Sequence, residues 1–187
     1  MTKIKKNFKI TEVQSKQISE NELIVAEEEI IKDIYYRIKE FELRIRDMDG
    51  QREFKLKSLI NLEKVISIED IKEKLGIELK SKIEDFIRKE GLQPIMECEI
   101  VRNEYRKGLL SIRIDHINFS NGQKDANCRL QSEVEDKDKV NDALNKMNEF
   151  AKQFNLEDRE MSPQEEYLKN NKKENKELNV PPINKIH

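Results

Sequence analysis

Cys98, Cys128 and His116 are the residues best suited to thiol or metal chemistry. All three fall on the apolar phase of runs in which hydrophobic and polar residues alternate, so the pattern predicts that they face inward. In an antiparallel meander Cys98 and Cys128 would occupy the two outer strands, about 9–10 Å apart across the middle one. That is too far for a disulfide. Neither CxxC nor HxxxH occurs and no fourth ligand accompanies them. The reading is therefore two buried thiols and one hydrogen-bonded histidine, with no metal and no cofactor.

Acid–base and nucleophilic arrangements fare no better. Asp115 and His116 are adjacent, and neighbours on a strand point to opposite faces. Glu97 and Glu99 share a face, but Arg113 and Arg129 on the neighbouring strands are placed to answer them, which describes a solvated charged surface. GxSxG, HExxH and a glycine-rich phosphate loop are all absent, and the chain holds only 5 glycines. These absences point away from an enzyme.

A third group of residues is basic. Segment 67–91 pairs a short helix, capped by Ser67, with a second over about 79–89, joined at Leu75-Gly76-Ile77. With Ile71 inward, this segment resembles a helix-turn-helix, and the strands at 95–117 resemble its wing. The resemblance implies DNA contacts from Lys80, Lys82, Arg88 and Lys89 and from Arg102, Arg106 and Lys107 near the hairpin tip. Lys72 stands where that family needs a small residue, however, and Glu78, Glu84, Asp85 and Glu90 balance the cations. A balanced surface gains little from phosphate neutralisation. An αα-hairpin packed on a sheet is the preferred reading, with a winged-helix DNA-binding regulator as the alternative.

The elements that must position these residues begin with an apolar seam. Ile24, Ile31, Ile38 and Ile45 recur every seven residues, and Ile34, Phe41 and Met48 fill the position three further on. Such an a/d pattern predicts one long helix, running from a capping box at Ser19–Glu22 to a glycine stop at Gly50. Arg37 and Arg44 would face Glu42 and Asp49 of a second copy, so the seam predicts a homodimer or other homo-oligomer. A further helix is expected over 52–65.

After Pro94 the period changes to two. Met96, Cys98 and Ile100, then Leu110, Ile112, Ile114 and His116, then Ala126, Cys128, Leu130 and Val134 predict a three-stranded antiparallel meander. An amphipathic helix over about 137–155 would cover it. The expected fold is α+β: a long N-terminal helix and short helices, then a three-stranded antiparallel sheet covered by a C-terminal helix. The divisions are a flexible basic arm at 1–18, the heptad helix at 19–50, an α+β domain at 51–156 and a largely disordered tail at 157–187, in which Ser162 could cap one short helix.

Charged residues make up 40% of the 187 and apolar residues 36%, with a net charge of −2, which disfavours a dedicated nucleic-acid binder. The longest apolar runs are too short for a membrane span, and the lysines at the start precede no apolar stretch of a secretory signal. The expected protein is a cytoplasmic, non-enzymatic regulator or adaptor that self-associates through residues 22–48 and binds another macromolecule, most simply a protein, with no membrane involved.

Overall fold

Asp49 and Gly50 both adopt positive φ, +50° and +81°, in a two-residue turn between paired strands. Asp-Gly between alternating hydrophobic residues favours this hairpin turn, whose twist matches that of the strands. The segment read as a long helix is thus two antiparallel strands, and this turn leads into a third. The computed structural model describes residues 2–21, 24–135 and 137–171, the side chains of 24–27 and 137 excepted.

The strands are β1 (Thr2–Lys9), β2 (Ile24–Ile38), β3 (Phe41–Met48), β4 (Gln51–Ser58), β5 (Lys64–Val65), β6 (Pro94–Lys107), β7 (Leu110–Phe119), β8 (Lys124–Val134) and β9 (Glu157–Asp158). They form one sheet in the order β5-β4-β3-β2-β6-β7-β8-β1-β9, with every pair antiparallel. The helices are α1 (Glu12–Glu20), α2 (Ile68–Leu75), α3 (Ile83–Lys89), α4 (Val140–Gln153) and α5 (Pro163–Asn170).

Several expectations are corrected by this sheet. No long N-terminal helix forms, and the three runs of period two become adjacent strands of a nine-stranded sheet rather than a sheet of three. The 52–65 helix is instead β4 and β5. Within 1–18 lie β1 and most of α1, which is capped by Thr11 and Gln14 rather than begun at Ser19. The seam residues do not line one stripe. Ile31 and Met48 are register partners on one face, while Ile34, Ile38, Phe41 and Ile45 lie on the other. Ile24 opens β2, its side chain outside the described residues. Ile31 (0% exposed), Ile38 and Ile45 are buried within their own chain, so no partner helix is required to dry them.

The sheet has an outer face covered by helices. α1 and α4 pack on β1, β7 and β8 through Ile18, Met147, Phe150 and Phe154 against Phe8, Ile112, Ile114, Cys128 and Leu130. α2 and α3 pack on β3 and β4 through Ile71, Ile83 and Ile87 against Leu43, Ile45 and Leu56. The alternation that sends these side chains outward sends charged ones to the other, inner face.

That inner face is rolled. Glu165 and Glu166 are neighbours on α5, yet Glu165 is bonded to Lys57 on β4 and Glu166 to Arg159, which is itself clamped on Asp125 of β8. β4 and β8 are five places apart, about 24 Å in a flat sheet. Only a sheet curled around α5 brings them to adjacent residues. At that end Tyr167 stacks on Phe119 with ring centroids 4.3 Å apart, over Ile31, Met96, Ile100 and Ile117.

Candidate functional site

The register puts Lys3, Lys5, Asn7 and Lys9 of β1 on the inner face, beside Glu133, Gln131, Arg129 and Asn127 of β8. Arg113 and Asp115 of β7 follow, then Glu104 and Arg102 of β6, Glu29 and Asp33 of β2, Arg46 and Arg44 of β3, and Glu53, Lys55 and Lys57 of β4.

Three of these cross-strand partners carry like charges directly opposite each other: Arg113 and Arg129, Arg44 and Lys55, Lys57 and Lys64. Each such pair destabilises a sheet by about 0.2–1 kcal/mol. Their electrostatic consequences link them into a belt. Burial, then Arg113, Arg102 and Arg46, lower the pKa of Arg129, although Asp115 opposes the shift. Burial, then Arg129, Lys3 and Arg113, lower that of Lys5. Burial, then Arg44, Lys64, Lys57 and Arg46, lower that of Lys55. Among the described residues Arg129 finds a neutral acceptor, donating from Nε to Asn7 Oδ1 at 3.0 Å. Arg44 Nε is buried and has no acceptor among the described residues.

The carboxylates of this face are already engaged. Arg46 grips Asp33 with two hydrogen bonds of 2.7 Å, and Arg102 grips Asp115 at 2.8 and 3.2 Å while lying 3.6 Å from Glu29. Arg113 is paired with Glu104. Looser pairs join Arg37 to Glu42, Arg44 to Glu53 and Lys3 to Glu133. With these acids satisfied by their own bases, the surplus cations at Lys5, Arg129 and Lys55 have no carboxylate partner among the described residues.

A groove of about 420 Å³ opens on the outer face beside α3, walled by Ile34, Tyr36, Ile45 and Ile87. Its acids Asp47 and Glu84 are both held by Arg52, and Lys32 and Arg88 complete its polar lining.

The residues singled out from the sequence are scattered. Cys98 lies on the inner face and Cys128 on the outer, because Cys98 pairs with Phe119 and Cys128 with Ile114, five residues apart on β7. Both are free and buried, and burial first, then a nearby carboxylate (Asp33 and Asp115 respectively), pushes each thiol up to about 12. His116 shares a hydrogen bond with Ser15 of α1 at 2.9 Å. Glu97 and Glu99 lie on the outer face, so Arg113 and Arg129 do not answer them. Lys80, Lys82, Arg88 and Lys89 are exposed on or beside α3, against the outer face. Arg102 is buried in mid-strand rather than at a hairpin tip, with Arg106 and Lys107 exposed near the β6–β7 turn.

Sequence reasoning missed Lys5, Arg44, Lys55, Arg113 and Arg129 as one site. The available signal was period-two charge, as in Lys3/Lys5, Arg44/Arg46 and Lys55/Lys57. A helical reading of 22–65 hid most of it.

The fold is a curled antiparallel sheet with helices on its outer face and, on its inner one, Lys5, Arg129 and Lys55 without a carboxylate partner among the described residues. The CYTH domain family profile matches residues 3–163, and the chain belongs to that family. Its fold is similar to that of a Bacillus halodurans protein described as a candidate adenylate cyclase, at 16% identity and a TM-score of 0.56, covering 89% of this chain and 98% of that one. It is also similar to a Pyrococcus horikoshii protein (16%, TM-score 0.53, 90% and 99% covered) and to a conserved hypothetical protein of Pyrococcus furiosus (16%, 0.53, 88% and 99%). No curated protein sequence matches.

Family membership overturns the expected non-enzymatic adaptor and its winged-helix alternative, since CYTH domain proteins are typically enzymes acting on triphosphates. The coiled coil goes with them, because its residues are strands. Among the described residues no helix is long and apolar enough to cross a membrane.

Proposed function

We propose that this protein binds a triphosphate-bearing anion on the inner face of its sheet and acts on the phosphoanhydride bond. The observation that carries the reading is the set of like-charged pairs Arg113/Arg129, Arg44/Lys55 and Lys57/Lys64, in each of which one cation is answered by a carboxylate and the other, Arg129, Lys55 or Lys64, has none among the described residues. A chain of phosphates suits such a belt better than a single phosphate, because its charges are spread along a line.

Hydrolysis on this wall has a simple balance. Water attacks the terminal phosphorus, the bond to the bridging oxygen breaks, and that oxygen leaves with the electron pair on the departing phosphate chain. The attacking water loses a proton to solvent. Arg129, Arg113 and Lys5 would stabilise the charge that builds on the phosphoryl oxygens, as fixed cations in a partly dry site do. The two free, buried cysteines support a reducing compartment, the cytoplasm.

Calorimetric titration of the full chain with inorganic tripolyphosphate, together with phosphate release from tripolyphosphate and from nucleoside triphosphates, tests this reading. Saturable binding lost in Arg129→Ala, with phosphate release above background, supports it. Binding without release would remove the catalytic half, and no binding would remove the whole.

A further inference from the structure

We propose that the inner-face site takes its anion free of magnesium, an inference that rests on the anion reading above. Enzymes that handle phosphates usually hold Mg²⁺ through one or two carboxylates together with the substrate's own oxygens. The donor set here does not fit that arrangement. The four inward positions of β1 are Lys3, Lys5, Asn7 and Lys9, with no acid among them.

Every inner-face carboxylate whose side chain is described is already in an ion pair, except the exposed Glu157 at the sheet's edge, opposite Lys9. Asp33 and Asp115 are held by two-pronged bonds from Arg46 and Arg102, and Asp125 by Arg159. Glu104 is held by Arg113, and Glu29, Glu42, Glu53 and Glu133 by Arg102, Arg37, Arg44 and Lys3. Among the described residues no three His, Cys, Asp or Glu side chains are grouped to hold a metal.

Recruiting a divalent ion through the most buried acids would mean stripping Asp33 or Asp115 from its arginine and leaving a buried guanidinium unpaired, which is strongly unfavourable. The anion meets the opposite situation. Lys5, Arg129 and Lys55 are short of counter-charge, so each phosphate oxygen bound directly relieves repulsion between neighbours. A magnesium complex brings less negative charge to the same belt and forfeits part of that relief.

The test is calorimetric titration of the full chain with inorganic tripolyphosphate, first in EDTA and then in excess magnesium chloride. Binding should persist in EDTA and weaken about tenfold in magnesium, the worth of one charge-assisted hydrogen bond. Tighter binding in magnesium, or binding only there, overturns the inference while leaving the anion site in place. No binding under either condition overturns both. Asp115→Asn gives a second measure: freeing Arg102 should tighten binding, whereas loss of binding in a folded variant would make that carboxylate a metal ligand and overturn the inference.

Discussion

Arg46 on β3 donates two hydrogen bonds of 2.7 Å to Asp33 on β2, and the two residues are direct register partners. The Asp33 side chain is 0% exposed and that of Arg46 14%. Burial works against the guanidinium's charge, but its bonds to Asp33 and that carboxylate's charge outweigh it and raise the Arg46 pKa. Asp33→Ala should therefore cost about 3–5 kcal/mol, because it leaves a buried cation unpaired. The double variant Asp33→Leu/Arg46→Leu should cost far less. Urea unfolding midpoints of the two variants measure the difference.

Arg129 should show the reverse balance between stability and binding. It stands opposite Arg113 and its charge is disfavoured by burial and by neighbouring cations. Arg129→Gln should leave stability unchanged or raise it by about 0.2–1 kcal/mol. The same change should weaken tripolyphosphate binding roughly ten- to hundredfold, the value of a hydrogen bond to a charged group. Thermal melts with and without the anion separate the two effects.

Arg159 fastens the end of the curled sheet, and its side chain is only 2% exposed. It binds both oxygens of Asp125, both of Glu166 and the carbonyl of Ala126. The bond from Arg159 holds Glu166 below the usual carboxylate range. Burial tends to raise Glu165, but the Ser162 N–H and Lys57 outweigh it and lower it. A depressed folded value means the stabilisation is fully present above the ordinary value, 4.5, and disappears as pH falls through the folded one. Melting temperature should fall steeply on the acid side of that value in the native chain and less steeply in Glu166→Gln.

Cys98 and Cys128 should resist thiol reagents. With both thiols pushed up to about 12 and buried, neither presents a thiolate near neutrality. A chromogenic disulfide reagent at pH 8 should react negligibly with the folded protein and with two thiols per chain in denaturant.

Gly50 is the cheapest check on the topology. At φ +81° a side chain is strained although open space surrounds it. Gly50→Ala should destabilise by about 1 kcal/mol, through the hairpin of β3 and β4. A helix stop at the same residue would predict the same sign, so hydrogen exchange in β3 and β4 provides the discriminating measurement, with protection lowered first in those strands.

The elements most legible in the sequence are those with local signals. Ser67 and Gly76 bound α2, the Ser162–Glu165 capping box begins α5, and period-two burial marks β6 to β8. Residues 22–48 misled because a seven-residue recurrence of isoleucine satisfies a heptad, whereas a hairpin shifts phase at each turn. Lys39-Glu40 separates β2 from β3, so Ile34, Ile38, Phe41 and Ile45 reach one face by alternation across that turn rather than by helical winding.

The amino-acid order alone therefore decided which side chains alternate and where the chain can reverse, since both depend on neighbours within a few residues. It also carried the charges, but spread from Lys3 to Arg129, with nothing local to show that they meet. Only the tertiary structure decided that, because strand order and curl brought β3 and β4 round to face β1 and β8. Charge–charge energy depends on distance through space, and that distance is set by the rolled sheet.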